Sequence, residues 1–143
     1  MSQDLQLKLT AAEVEALIRG GLPQAAKGAL RIEEVRPGYA RVRLPYLPWM
    51  IRPGNSISGP ALFTAADTAM YALVLSHLGP QLMAVTADMN LRFLSRGALG
   101  DIVGECTLLK LGRRLVVMEV MLTIADDPKP VAHVTGTYML PAA

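Results

Sequence analysis

The sequence has a single cysteine, Cys106, which excludes an intramolecular disulfide and a thiolate metal cage. Two histidines, His77 and His133, are too few for a His-rich metal site. Charged residues make up 18 % of the chain, below the roughly 25 % of an average soluble domain. The net charge of +2 is too small for a dedicated nucleic-acid domain. No paired-glycine fingerprint follows a strand pattern, so nothing points to a flavin or nicotinamide cofactor. Neither a repeat nor a low-complexity linker is present. Met1 to Lys8 carry no basic start leading into an apolar run. No export signal is therefore expected, and with one thiol the expected location is cytoplasmic.

Apolar residues are plentiful instead, at 52 % of 143 residues, which excludes intrinsic disorder and fits one domain with a real core. A mean hydropathy of +0.33 leaves apolar surface to spare, as between subunits. The longest apolar run, Pro60 to Leu78, is long enough to cross a bilayer. However, Asp67 sits near its middle and no basic flank follows, so the run reads as the buried central helix of a soluble protein.

Thr10 to Glu13 has the spacing of a capping box and opens a short helix to about Arg19, stopped by Gly20-Gly21 and Pro23. Ala29 to Val35 and Tyr39 to Leu44 read as strands around an Arg36-Pro37-Gly38 turn. Pro45, Pro48 and Pro53 make the next stretch irregular. A long helix follows, about Gly59 to His77, closed by Gly79-Pro80. The period then changes to two: Val85, Ala87, Met89, Leu91 and Phe93 alternate with Thr86, Asp88, Asn90 and Arg92. Further strands are expected over 101–111, 114–124 and 131–140, with turns at Gly112-Arg113 and Asp126 to Lys129. The fold class is α+β: an antiparallel sheet packed around one long apolar helix, with a short N-terminal helix.

Asp67 is the most informative residue, because a carboxylate in a helix built for burial must be paired, hydrated or protonated. Its neighbours one turn away are Phe63, Thr64, Met70 and Tyr71, none of them basic. At the helix opening, Asn55-Ser56-Ile57-Ser58-Gly59-Pro60 offers free backbone N–H groups that can hold an oxyanion, or simply a capped helix start. Gly59 and Asp67 lie about 12 Å apart along one helix, too far for one scissile bond. Two such helices antiparallel across a two-fold axis bring them together. Thr86 is the third candidate: its hydroxyl can orient a water or the Asp67 carboxylate, or serve as an ordinary strand threonine. His77, at the helix C-terminus, reads as structural and suited to the helix dipole. His133 also reads as structural, and Cys106 as a small core residue.

These features together resemble the hotdog-fold thioesterases, in particular the PaaI-like acyl-CoA thioesterases, over about Ala29 to Leu140. In that family a His-Gly-Gly opens the central helix and an acidic residue follows nine positions after the His. Here Ser58-Gly59-Pro60 stands at the opening and Asp67 lies nine after Ser58. Ala84 to Asn90 looks like the family's strand bearing a Ser or Thr, Leu109 to Arg114 like its long hairpin, and Ala132 to Thr137 like its last strand. The resemblance implies a single hotdog domain over 1–143, with an N-terminal helical extension (1–28) and a core (29–140). It implies hydrolysis of an acyl-CoA thioester in a homodimer or a dimer of dimers. Gly59 N–H would polarise the carbonyl, with Ser58 and Asn55 beside it. Asp67 of the partner would act as nucleophile or general base, and Thr86 would hold the water. Arg92, Arg96, Lys110, Arg113 and Arg114 would meet CoA phosphates. No cofactor, metal, membrane or nucleic acid is implied; CoA arrives as part of the substrate.

Ser58 and Pro60 depart from the family's His and second Gly. They keep open a non-catalytic acyl-CoA-binding protein of the same fold. A hotdog hydratase or dehydratase ranks third: Asp88-Met89-Asn90 matches part of that pattern, but Phe93 stands where its His would be.

Overall fold

The structure is a computed structural model that describes residues 5–142; the beginning of the Met1 to Lys8 segment lies outside the described residues. Helix α1 (Ala11–Gly21) starts at the expected capping box, with Thr10 and Glu13 each accepting the other's backbone N–H. A five-residue helix α2 (Pro23–Lys27) follows, where Gly20-Gly21 and Pro23 predict only a stop. Pro23 occupies its first turn, where a missing N–H costs nothing.

Among the described residues there are eight strands, β1 (Arg31–Arg36), β2 (Tyr39–Leu44), β3 (Ile51–Arg52), β4 (Ser56–Ile57), β5 (Val85–Phe93), β6 (Ile102–Leu111), β7 (Leu115–Ile124) and β8 (Asp127–Met139). Six of them form one antiparallel sheet in the order β1-β2-β6-β7-β8-β5. The stretch expected to be irregular contains a 3-10 turn, Pro48–Met50, and the small β3-β4 hairpin. Strand β8 begins four residues earlier than the expected Val131, because the chain turns at Ala125, whose φ is +45°. Pro128 and Pro130 are tolerated inside β8 because β5 reaches only as far as Ala132.

The sheet wraps α3 (Gly59–Leu78), which Ser58 caps at its N-terminus and Gly79, at φ +84°, ends. Its length and hydropathy would let it cross a membrane, yet most of it is buried inside the fold. Ala61, Ala65, Ala66, Ala69 and Ala72 are all fully buried and let the strands approach closely. Gly136 on β8 shows how tight the approach is, since a Cβ there would lie 2.7 Å from Met70 Sδ.

His77 is buried, and its Nε2 accepts the N–H of Gly38 at 2.9 Å, while Nδ1 lies 2.9 Å from Leu73 O. Burial lowers its pKa below the ordinary histidine value. The ring is thus a neutral link between α3 and the β1-β2 turn, and not a cation placed on the helix dipole.

Candidate active site

Asp67 lies near the middle of α3 and is only partly buried. Two hydroxyls donate to one of its oxygens, Oδ1: Thr86 Oγ1 at 2.6 Å and Tyr138 Oη at 2.7 Å. Tyr138 also reaches the Asp67 backbone carbonyl at 3.2 Å. Among the described residues Oδ2 has no protein partner, so one carboxylate oxygen is held and the other is free. Hydrogen bonds to an ionised acceptor are the stronger kind, so this pair fixes the side chain's direction.

Strict alternation on β5 would put Thr86 on the face opposite Met89. A bulge between Thr86 and Asp88 inserts one extra residue, so Thr86 pairs with Tyr138 while Met89 pairs with Gly136. Both pairs face the helix: Tyr138 bonds Asp67, and Gly136 abuts Met70. The bulge is what turns the Thr86 hydroxyl toward Asp67.

Tyr138 was not among the residues singled out from the sequence. The available signal was its place in β8, two residues beyond Gly136 on the inward face, with a hydroxyl that needs a partner once buried. Burial first, and then the Asp67 charge, push its phenol pKa well above the ordinary tyrosine value, so it stays a donor. Its ring stacks on Tyr71 with centroids 5.9 Å apart. Tyr71 in turn donates to Leu82 O at 2.9 Å, which tethers the segment after α3 to the same corner.

At the other end of the exposed helix face, Ser58 Oγ accepts from Ala61 N–H at 3.4 Å. This capping bond uses a lone pair and leaves the hydroxyl hydrogen available. Gly59 borders a cavity of about 400 Å³ together with Arg52, Phe93 and Arg96. Phe93, 59 % exposed, covers the glycine so closely that a Cβ on Gly59 would lie 3.3 Å from its ring. Asn55 sits nearby but at the tip of the β3-β4 hairpin, exposed and with φ +54°.

The basic residues divide by position. Arg96 lies over Gly54 of the β3-β4 turn and lines the Gly59 cavity. Arg52 lines it too and was not singled out from the sequence. Arg92 pairs across strands with His133, on the sheet face away from the helix. There His133 Nε2 lies 3.1 Å from Glu119. Lys110 is the next-to-last residue of β6, and Arg113 borders a shallow pocket near Leu78, at the opposite end of α3 from Gly59. Arg114 donates to Leu140 O. Cys106 is fully buried with its thiol pKa raised by that burial, which makes it inert.

A strand of the sheet also stands uncovered. Strand β5 ends the sheet, and Val85, Phe93 and the neighbouring helix residue Phe63 are exposed. An apolar edge of this kind calls for a partner.

A thioesterase superfamily model matches residues 54–131, more than half of the chain. A solved structure from Silicibacter sp. TM1040, provisionally described as a thioesterase, is 34 % identical. It superposes with a TM-score of 0.87, covering 98 % of this chain and 97 % of that one. A conserved protein of Pseudomonas aeruginosa is 27 % identical with a TM-score of 0.73, over 82 % of this chain and 93 % of its own. The E. coli PaaI protein from the phenylacetic acid degradation operon shares the fold at 22 % identity, with a TM-score of 0.78 and coverage of 93 % and 94 %. No curated protein matches the sequence.

Proposed function

The chain belongs to the thioesterase superfamily, and from that premise we propose that it hydrolyses an acyl-CoA thioester to the free acid and CoA. The observation that carries the proposal is the Asp67 carboxylate, with one oxygen fixed by Thr86 and Tyr138 and the other free. A carboxylate held this way can take a proton from water as the water oxygen attacks the carbonyl carbon. It can equally attack the carbon itself, giving an anhydride that water then opens. In both routes the C–S bond breaks, the thiolate leaves and gains a proton, and the acyl group leaves as the acid.

Negative charge develops on the carbonyl oxygen during attack, and the Gly59 N–H at the helix N-terminus is the donor for it. The Ser58 hydroxyl hydrogen can add a second donor, with Asn55 near the same opening. Gly59 and Asp67 are about 12 Å apart on one helix, so the reacting carbon must sit between two copies of α3. The uncovered β5 edge and the exposed Phe63 and Phe93 support a homodimer, or a dimer of dimers, with two equivalent sites. Arg96, joined by Arg52, suits CoA phosphates at the Gly59 cavity, and Lys110, Arg113 and Arg114 suit them at the β6-β7 hairpin. Arg92, which faces the other way, is left out of this set. The reaction needs no cofactor, and a cytoplasmic location fits both CoA esters and the single thiol.

Thiol release from acetyl-, hexanoyl-, decanoyl- and phenylacetyl-CoA, with wild type beside Asp67→Asn, tests the proposal. Release by the wild type that vanishes in a folded Asp67→Asn protein is the expected result. Tight binding without release across the panel would replace it with the non-catalytic reading that Ser58 keeps open.

A further inference from the structure

We propose that the apolar cavity beneath α2 receives the acyl chain of the substrate, and that this chain is of medium length. The inference rests on the thioester reading of Asp67 and adds to it the class of acyl group. The cavity has a volume of about 370 Å³ and lies between the N-terminal segment and α3, with Leu22, Leu30, Leu47 and Trp49 among its walls. On the helix side its wall is Thr64 and Thr68. Both hydroxyls are spent inside the helix, on Pro60 O at 2.9 Å and Thr64 O at 2.7 Å, so that wall offers no free donor. Gln24 and Lys27 of α2 add an amide and an ammonium to the walls, and among the described residues no acidic side chain lines the cavity. A space walled largely by leucine, alanine and tryptophan side chains accepts hydrocarbon.

Its connection to the carboxylate is direct. Leu22 and Thr68 line this cavity and also the recess that holds Asp67, Thr86 and Tyr138. Thr68 follows Asp67 in the sequence, so a carbonyl carbon at the free Oδ2 has the cavity as its neighbour. At about 30 Å³ for each water-sized group, the volume holds on the order of ten carbon-sized groups. That room favours a chain that fills the space over an acetyl group. Helix α2 supplies one wall of this space through Gln24, Ala25 and Lys27.

Trp49 is the sole tryptophan, it lines the cavity, and it is 52 % exposed, so its fluorescence reports occupancy independently of turnover. The test titrates Asp67→Asn protein with CoA, acetyl-CoA and octanoyl-CoA while following Trp49 emission. Octanoyl-CoA should give a saturable blue shift and the other two none. In the wild type, kcat/KM should rise about fourfold per added CH₂ until the cavity is full. Ala25→Phe, which fills the cavity from α2, should remove the shift and cut the octanoyl-to-acetyl ratio of kcat/KM at least about tenfold. Ala25→Leu, a smaller intrusion, should shorten the preferred chain if the Phe variant does not fold. A Trp49 silent to octanoyl-CoA overturns the proposal, as does a chain-length profile untouched by either variant. No hydrolysis of any ester would overturn the catalytic reading alone, and Trp49 would still decide the cavity's occupant.

Discussion

Tyr138 donates its hydroxyl to Asp67 Oδ1 at 2.7 Å across a separation of 71 residues. The bond joins the last strand to the middle of the central helix. It also makes Asp67 a carboxylate with a defined free oxygen and not a side chain loose on a helix surface. The Tyr138 ring is locked in turn by its stack on Tyr71.

Removing this donor while keeping the ring should reveal its role. In Tyr138→Phe the stack remains, so the fold should hold and KM should change little. A hydrogen bond to a charged group contributes about 1.5–3 kcal/mol, and partial exposure of Asp67 puts the loss at the lower end. We expect kcat to fall about tenfold. Because Thr86 donates to the same oxygen, Thr86→Ala combined with Tyr138→Phe should deviate from the product of the single effects. Unchanged kcat in the double variant would show that the pair does not position Asp67.

A site shared between two copies of α3 predicts complementation. Gly59→Pro deletes the N–H and is compatible with the first turn of a helix, and Phe93→Ala in the same chain makes room for the ring. That protein and Asp67→Asn should each be inactive alone. Unfolded together and refolded as a one-to-one mixture, they should recover about a quarter of wild-type activity, since half the dimers are mixed and each carries one intact site. Recovery of nothing, with mixed dimers demonstrated by mass, would return both residues to one subunit.

The close approach of α3 to β8 predicts a stability effect at Gly136. A Cβ there would stand 2.7 Å from Met70 Sδ and 3.1 Å from Asp88 O. Met70 can bend away, but the Asp88 carbonyl is backbone at the β5 bulge and cannot. Gly136→Ala should destabilise by about 1–3 kcal/mol, read as a lower denaturation midpoint. A second result should accompany it: disturbance of the bulge should lower kcat, because the bulge aims Thr86.

His77 predicts an acid-sensitive stability. Burial lowers its folded pKa below the ordinary value of 6.5, so the unfolded chain binds the proton more tightly. The stability it contributes is therefore complete above pH about 6.5 and is lost as pH falls toward the lower folded value. Chemical denaturation between pH 7.5 and pH 5 should show this decline, and His77→Leu should flatten it. The variant should also be less stable at pH 7.5 by about 1–3 kcal/mol, because the Gly38 N–H loses its acceptor. A slope equally steep in the variant would assign the acid sensitivity to other groups.

Much of this molecule is written locally in the sequence. The capping box at Thr10, the stop at Gly79 and the change of period after α3 each depend on residues a few positions apart. They are therefore readable along the chain. The isolated carboxylate of Asp67 was legible for the same reason, since its helical neighbours are fixed by the 3.6-residue turn. What the tertiary structure alone decided is what meets that carboxylate. Alternation assigns Thr86 to the wrong face, and only the pairing of β5 with β8 creates the bulge that reverses it. Tyr138 is far away in sequence, and its role depends on sheet register. The short helix α2 has too few residues to be stable by itself and exists because it packs against α1, from where it walls the cavity opposite α3. Local spacing sets each element's type, while long-range register and packing set which side chains share a site.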